Sequence, residues 1–159
     1  MRLSSIALVL AAVSTAAAAP GVSPVEPVPV VGGPCEGCEN VFRDIPARIG
    51  SATRIAPADQ PGEPLRIEGT VYGPDGKPAP GTIVYAYHTD VGGLYPPAET
   101  RHGALRGWAR ADGDGRYRFD TMRPGGYPGT SIPQHVHMHV IEPGRCTYFI
   151  DDLLFRDDP

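Results

Sequence analysis

From Leu65 onward, apolar and polar residues alternate in short runs, a pattern typical of half-buried β-strands. In "LRIEGTVY", Leu65, Ile67, Gly69 and Val71 alternate with mostly polar neighbours, and side chains two residues apart share one face of a strand. The later runs "TIVYAYH", "WARA", "RYRFD", "QHVHMHVI" and "CTYFI" have similar strand character and are separated by turns rich in Gly, Pro and Asp. Because no convincing amphipathic helix interrupts them, we expect an all-β fold, with an antiparallel β-sandwich or barrel as its architecture.

The first twenty residues, "MRLSSIALVLAAVSTAAAAP", follow a different pattern. Arg2 precedes an apolar stretch and a run of alanines, which predicts a signal peptide over residues 1–18 with cleavage after Ala18. The apolar run is too short to span a bilayer, and no later segment approaches that length. We therefore expect an exported protein, periplasmic or secreted, without stable membrane insertion once the signal is removed.

Residues 19–64 are predicted to form a proline-rich arm that contains a CxxC motif, and residues 65–159 the β-sandwich domain. The opening of the arm, "PGVSPVEPVPVVGGP", favours an extended conformation. The formal net charge is -4 with no block of Lys or Arg, so a nucleic-acid partner is not expected. Nothing in the sequence indicates the oligomeric state.

Three cysteines are present, Cys35 and Cys38 in "PCEGCEN" and Cys146 in "GRCTYFI". In an oxidising compartment Cys35 and Cys38 can close a small disulfide loop, which leaves Cys146 unpaired. A CxxC motif also occurs in redox pairs and in zinc sites. No second CxxC and no thioredoxin-like βαβ pattern accompanies this one, and we therefore predict a structural disulfide.

The strand "HVHMHV" carries a histidine at every second position. These are His135, His137 and His139, which alternation places on one face. The opposite row, Val136, Met138 and Val140, is apolar and suits a core. A solvent-facing polar row is the alternative, but three of the five histidines in the chain alternate here. We therefore predict metal binding. Three histidines alone suit zinc or copper, whereas tyrosinate ligands indicate a Lewis-acidic ion such as Fe(III).

The stretch "GRYRFDTMRPGGYP" followed by "IPQHVHMHV" resembles the intradiol ring-cleavage dioxygenases, the protocatechuate and catechol dioxygenase group. "VYAYHTDVGGLYPP" resembles the strand and loop that carry the first tyrosine ligand of that family, and "PCEGCENVF" resembles segments of its exported members. The resemblance extends from about Leu65 to Asp152. It also implies a β-sandwich core, which is shared with prealbumin-like proteins.

Carried over residue by residue, the resemblance implies Fe(III) held by Tyr95, Tyr127, His135 and His137. Tyr127 matches the axial ligand that leaves as substrate binds, which gives it a catalytic role. The implied reaction uses O2 to cleave a catechol-type ring between its two hydroxyl-bearing carbons, giving a muconate-type diacid.

The sequence departs from the family at one position near the first histidine. Members that degrade aromatic compounds usually carry an arginine there, and this chain has Ile132. Arg110 and Arg123 are candidates to replace that arginine in space. His139 matches no ligand of the family.

Two other functions stay open at this point. One is a non-catalytic protein that binds copper or zinc through His135, His137 and His139. The other is a binding module, since "IEGTVYGPDGKPAPGTIVYAYHTD" resembles prealbumin-like sandwiches, although a fold alone does not assign a function.

Overall fold

The computed structural model describes residues 24–32 and 37–158. Within these residues the chain is almost entirely β-structure, apart from one short 3₁₀ helix at Cys38–Phe42. The strands are β1 (Ala52–Arg54), β2 (Pro64–Thr70), β3 (Ile83–Tyr87), β4 (Arg106–Arg110), β5 (Arg116–Met122), β6 (His135–Glu142) and β7 (Cys146–Leu154). The predicted all-β fold is confirmed.

The strands form two sheets that pack face to face. The first has three strands in the order β1-β5-β2, and the second has four in the order β4-β3-β6-β7. All neighbouring strands are antiparallel except β1 and β5, which pair in parallel. The predicted antiparallel sandwich is therefore correct apart from this one short pairing.

The main core lies between the two sheets. Ile67 and Phe119 of the three-stranded sheet pack with Val84, Val136 and Met138 of the four-stranded sheet. Val136 and Met138 of the apolar row predicted opposite the histidines thus face this interior, and their burial fixes which face of β6 carries the histidines.

The histidine face of the four-stranded sheet is covered by residues that precede β1. Tyr85 and Trp108 pack there with Val41, and the Trp108 indole Nε1 donates a hydrogen bond to the Val41 carbonyl at 2.8 Å. This cover keeps the face largely dry next to the histidines.

The segment predicted as an arm also contacts the sandwich outside this cover. The amide of Val31 donates to the Thr147 carbonyl at 2.8 Å, and the Thr147 amide donates to the Pro29 carbonyl at 2.9 Å. Strand β1 also belongs to this segment and pairs with β5. The domain boundary after residue 64 stays a prediction, but residues 52–54 are part of the sandwich.

Several sequence predictions concern residues that the structure does not describe. The signal peptide, residues 1–18, and Cys35 lie outside the described residues. Cys38 is disulfide-bonded and Cys146 is a free thiol, while the pairing of Cys38 with Cys35 stays a prediction. None of the described helical segments is long and apolar enough to cross a membrane.

Candidate metal centre

Strand β6 supplies two imidazoles that point to the same place. His135 and His137 lie two residues apart on the face opposite the core, and His137 pairs with Tyr87 of β3. Their Nε2 atoms approach to 3.1 Å. The alternation seen in the sequence therefore produces a local pair of nitrogen ligands.

Two loops bring one phenol each to this pair. Tyr95 follows β3, and its hydroxyl lies 2.9 Å from His137 Nε2. Tyr127 follows β5, and its hydroxyl lies 3.2 Å from the Nε2 atoms of both His135 and His137. The two hydroxyl oxygens are 2.5 Å apart. All four ligands implied by the resemblance thus converge on one point.

Backbone contacts hold the two loops together. The Asp90 carboxylate accepts hydrogen bonds from the amides of Gly92 at 2.8 Å and Leu94 at 3.1 Å, which closes a tight turn just before Tyr95. The amide of Gly125 donates to the Asp90 carbonyl at 2.7 Å. The loop that carries Tyr127 is therefore tied directly to the loop that carries Tyr95.

The partners of the other ring nitrogens determine the imidazole tautomers. His135 Nδ1 lies 2.6 Å from the Pro133 carbonyl oxygen, and His137 Nδ1 lies 2.8 Å from the Asp152 carboxylate. Both partners are acceptors, so both Nδ1 atoms carry the proton. The Nε2 lone pairs of both rings then point toward the two phenol oxygens and are available to bind a cation.

The distances also fit a metal ion. Ligand atoms about 2.0–2.1 Å from an ion and at neighbouring coordination positions are separated by roughly 2.8–3.4 Å, and four of the measured separations lie between 2.9 and 3.2 Å. Burial first, and then the hydrogen bond with Tyr127, raise the pKa of Tyr95 above its ordinary value. A phenol in this position ionises only if a strong cation binds it, and the donor set therefore fits a trivalent ion.

A cleft of about 510 Å³ opens onto this cluster. Tyr95, Tyr127 and His137 of the cluster line it. The other lining residues are Tyr87, Arg101, His102, Met138, His139, Phe149 and Asp152. The volume is typical of a small-molecule site, about 300–1,000 Å³.

His139 lines the cleft but does not join the cluster. Its side chain is buried, and its Nδ1 lies 4.0 Å from Cys38 Sγ. Burial, and to a lesser extent the neighbouring His137, lower its pKa to about 4. Among the described residues, the group of three or more His, Cys, Asp or Glu side chains whose ligand atoms all lie within 4.8 Å of one another consists of His135, His137 and Asp152. This geometry does not favour a site made of three histidines.

The two arginines considered as replacements at the cleft are engaged elsewhere. Arg110 donates to the Gly81 carbonyl at 3.1 Å. Arg123 donates to Gln134 at 2.6 Å and forms an ion pair with Asp157 at 2.7 Å. Neither residue is among those that line the cleft, so the structure does not support either candidate.

Sequence reasoning missed Arg101 and His102, which do line the cleft. Both lie in "PPAETRHGALRG", a segment without strand periodicity. Their position follows from how that segment folds back, because the Ala104 amide donates to the Pro96 carbonyl at 3.0 Å.

Comparisons with known proteins identify the family of this chain. A family model described as "Dioxygenase" matches residues 42–159. Catechol 1,2-dioxygenase 1 of Acinetobacter lwoffii is 41% identical over 73 residues, which cover 43% of this chain and 24% of that protein. The protocatechuate 3,4-dioxygenase beta chain of Burkholderia cepacia is 28% identical over 110 residues, covering 62% of this chain and 47% of that protein. This chain therefore belongs to the intradiol ring-cleavage dioxygenase family.

A solved structure agrees in fold. The dioxygenase domain of a dioxygenase carbohydrate-binding protein fusion from Streptomyces sp. SirexAA-E superposes with a TM-score of 0.61 at 29% identity, covering 84% of this chain and 78% of that one. The chain spans less than half the length of the two curated relatives above.

Proposed function

We propose that this protein is a non-haem Fe(III) dioxygenase that uses O2 to cleave a catechol-type ring between its two hydroxyl-bearing carbons. One observation carries the proposal: Tyr95, Tyr127, His135 and His137 direct four donor atoms to one point at the wall of a cleft. Family membership supports the same reaction. When bound, the ferric ion would supply Lewis acidity toward the catechol oxygens and activate the bound substrate for attack by O2.

The position of each proposed ligand in the fold indicates its role. His135 and His137 stand on a paired strand between β3 and β7, so they would stay fixed as the permanent nitrogen ligands. Tyr127 lies on a loop with Gly126 before it and Gly129 shortly after it, which gives its ring freedom to withdraw. As Tyr127 leaves, its phenolate oxygen would take one of the two protons that a catechol must lose.

The cleft also suits a flat aromatic substrate. Phe149 lines it and is 43% exposed, and an accessible aromatic ring favours stacking on an aromatic substrate. Tyr95 packs against the buried residues on the histidine face of the sheet, and its ring centroid lies 6.0 Å from that of Tyr87. It would therefore stay as the second phenolate while Tyr127 exchanges with substrate.

Visible absorption of the iron-loaded protein tests the proposal. We expect a tyrosinate-to-iron charge-transfer band that shifts when catechol is added. His135→Ala and His137→Ala should each lose the iron, and Tyr127→Phe should keep part of it with an altered band. His139→Ala is the matched control on the same strand face and should keep both iron and band. A colourless protein that holds zinc or copper only while His139 is present would instead support the three-histidine alternative.

The proposed location is outside the cytoplasm. The predicted signal peptide supports export, and the predicted disulfide at the CxxC motif suits an oxidising compartment.

A further inference from the structure

Asp152 of β7 contacts one metal-binding histidine and not the other. Its carboxylate accepts a hydrogen bond from His137 Nδ1 at 2.8 Å, while the corresponding nitrogen of His135 donates to the neutral Pro133 carbonyl. We propose that Asp152 is a positioning residue for His137, which fixes the orientation of that ring and makes its Nε2 the stronger of the two nitrogen donors. The inference rests on the proposed function, since it assumes that Nε2 binds iron.

An irregularity in strand pairing brings Asp152 to this position. Met138 pairs with Ile150 and Val136 pairs with Leu153. Between these two pairs, β6 therefore has one residue, His137, and β7 has two, Asp151 and Asp152. This is the two-against-one count of a β-bulge, and bulges often redirect side chains next to active sites.

The bulge determines on which face of β7 Asp152 lies, because successive side chains of a strand alternate between its two faces. If the register at Met138 and Ile150 continued without the bulge, Asp152 would pair with Val136 and point into the apolar core between the sheets. The extra residue gives Leu153 that place, and Leu153 packs on the core. Asp152 is thereby turned to the opposite face, where His137 stands.

The orientation of the His137 ring is fixed on a second side. Its ring stacks on Tyr87 with centroids 4.6 Å apart and an angle of 25°. The stack restricts tilting of the ring, and the Asp152 hydrogen bond restricts its rotation about the Cβ bond. Together they point Nε2 at the two phenols. Partners of this kind raise the basicity of a metal-bound histidine, and their loss typically costs about 10–100-fold in metal affinity.

Asp152 is not itself assigned as an iron ligand. Its carboxylate is hydrogen-bonded to Nδ1 of His137, whereas Nε2 of that ring is 2.9 Å from the Tyr95 hydroxyl. The carboxylate therefore acts on the centre through the imidazole.

Ferric iron affinity, measured by competition with a chelator, tests the proposal. Asp152→Ala should bind ferric iron about 10–100-fold more weakly than the wild type. Asp152→Asn keeps an acceptor oxygen but no charge. It should recover most of the affinity and still move the charge-transfer band to longer wavelength, because a less basic His137 leaves the iron more electron-poor. Asp151→Ala is the matched control, since Asp151 shares the bulge and is exposed, and it should change neither quantity.

Two results would overturn the inference. One is an iron affinity of Asp152→Ala within about two-fold of the Asp151→Ala control, well short of the loss expected when such a partner is removed. The other is an Asp152→Asn variant as weak as Asp152→Ala, with iron-free unfolding midpoints equal to the wild type. If the wild-type protein itself fails to bind ferric iron, the proposed function fails instead, so the two claims can be separated.

Discussion

His88 is buried completely and serves the fold, in contrast to the histidines of β6. Its Nδ1 lies 2.7 Å from the Thr89 carbonyl oxygen and its Nε2 lies 2.7 Å from the Thr121 hydroxyl. The carbonyl can only accept, so His88 donates from Nδ1 and accepts at Nε2 as a neutral imidazole. Burial lowers its pKa below the ordinary value. His88 therefore links the end of β3 to β5 as a neutral imidazole.

This environment predicts a pH-dependent effect of His88→Gln. At about pH 7.5 we expect the variant to lose about 1–3 kcal/mol of unfolding free energy, because a buried hydrogen-bonding group is left unsatisfied. Below about pH 6.5 the unfolded wild type binds a proton at His88 that the folded form does not, so wild-type stability falls with pH. The His88→Gln variant has no ionisable group at this position, so its stability does not fall for this reason. The difference between the two proteins should shrink toward about pH 5.5.

Denaturant unfolding of both iron-free proteins at the two pH values measures this difference. The remaining histidines titrate alike in both, and their contributions cancel. A difference that stays constant or widens at the lower pH would contradict a neutral, buried His88.

Among single residues, the ones that lie in a specific motif could be assigned to the site from the sequence. Tyr127, His135 and His137 lie in or beside the HxH strand, and Tyr95 follows a recognisable strand and loop. Asp152 could not be assigned, because its role depends on a bulge that the pattern "FIDDLL" does not reveal. The position of Arg101 depends in the same way on the path of a loop.

Among the structural elements, the two tyrosine loops depend on an unusually close backbone approach. A Cβ at Gly93 would lie 1.9 Å from the Gly126 carbonyl oxygen, and Gly93 also has a φ of +75°. Both conditions require glycine. The spacing of the two loops, and hence of the two phenols, therefore rests on this contact.

Gly93→Ala should push the loops apart. We expect it to cost a few kcal/mol, roughly 1–2 for the left-handed conformation and about 1–3 for the steric clash, and to reduce bound iron. Gly129→Ala is the matched control, because Gly129 has a φ of +72° and an added Cβ there would meet nothing within 4 Å. Thermal unfolding and iron content of both variants measure the contrast. Equal losses in the two variants would mean that the close approach does not hold the site together.

The long alternating strands could be predicted from sequence, and the short elements could not. Strand β1 has only three residues and is formed by pairing with β5, a long-range contact that its own sequence does not signal. Strand β7 runs on to Leu154, past the predicted "CTYFI", because pairing with β6 extends through the polar "DD" of the bulge. Tertiary contacts therefore determine both the formation of β1 and the length of β7.

For the molecule as a whole, the topology explains why distant residues form one centre. Strands β3 and β6 are neighbours in the four-stranded sheet, so the loop after β3 and the start of β6 lie side by side. The loop between β5 and β6 closes over the same end. Sequence order alone does not reveal this meeting point, and the resemblance to a known family supplied it.

Isotope labelling of the product tests most directly whether the protein cleaves a catechol with O2 at this cluster. Iron-loaded protein is incubated with catechol under ¹⁸O2, and the product is analysed by mass spectrometry. We predict a muconate-type diacid that carries both atoms of one O2 molecule, and no product from His137→Ala, which lacks one of the proposed ligands. Unchanged catechol with the iron-loaded wild type, or a ring opened beside the hydroxyl pair instead of between its carbons, would contradict the account.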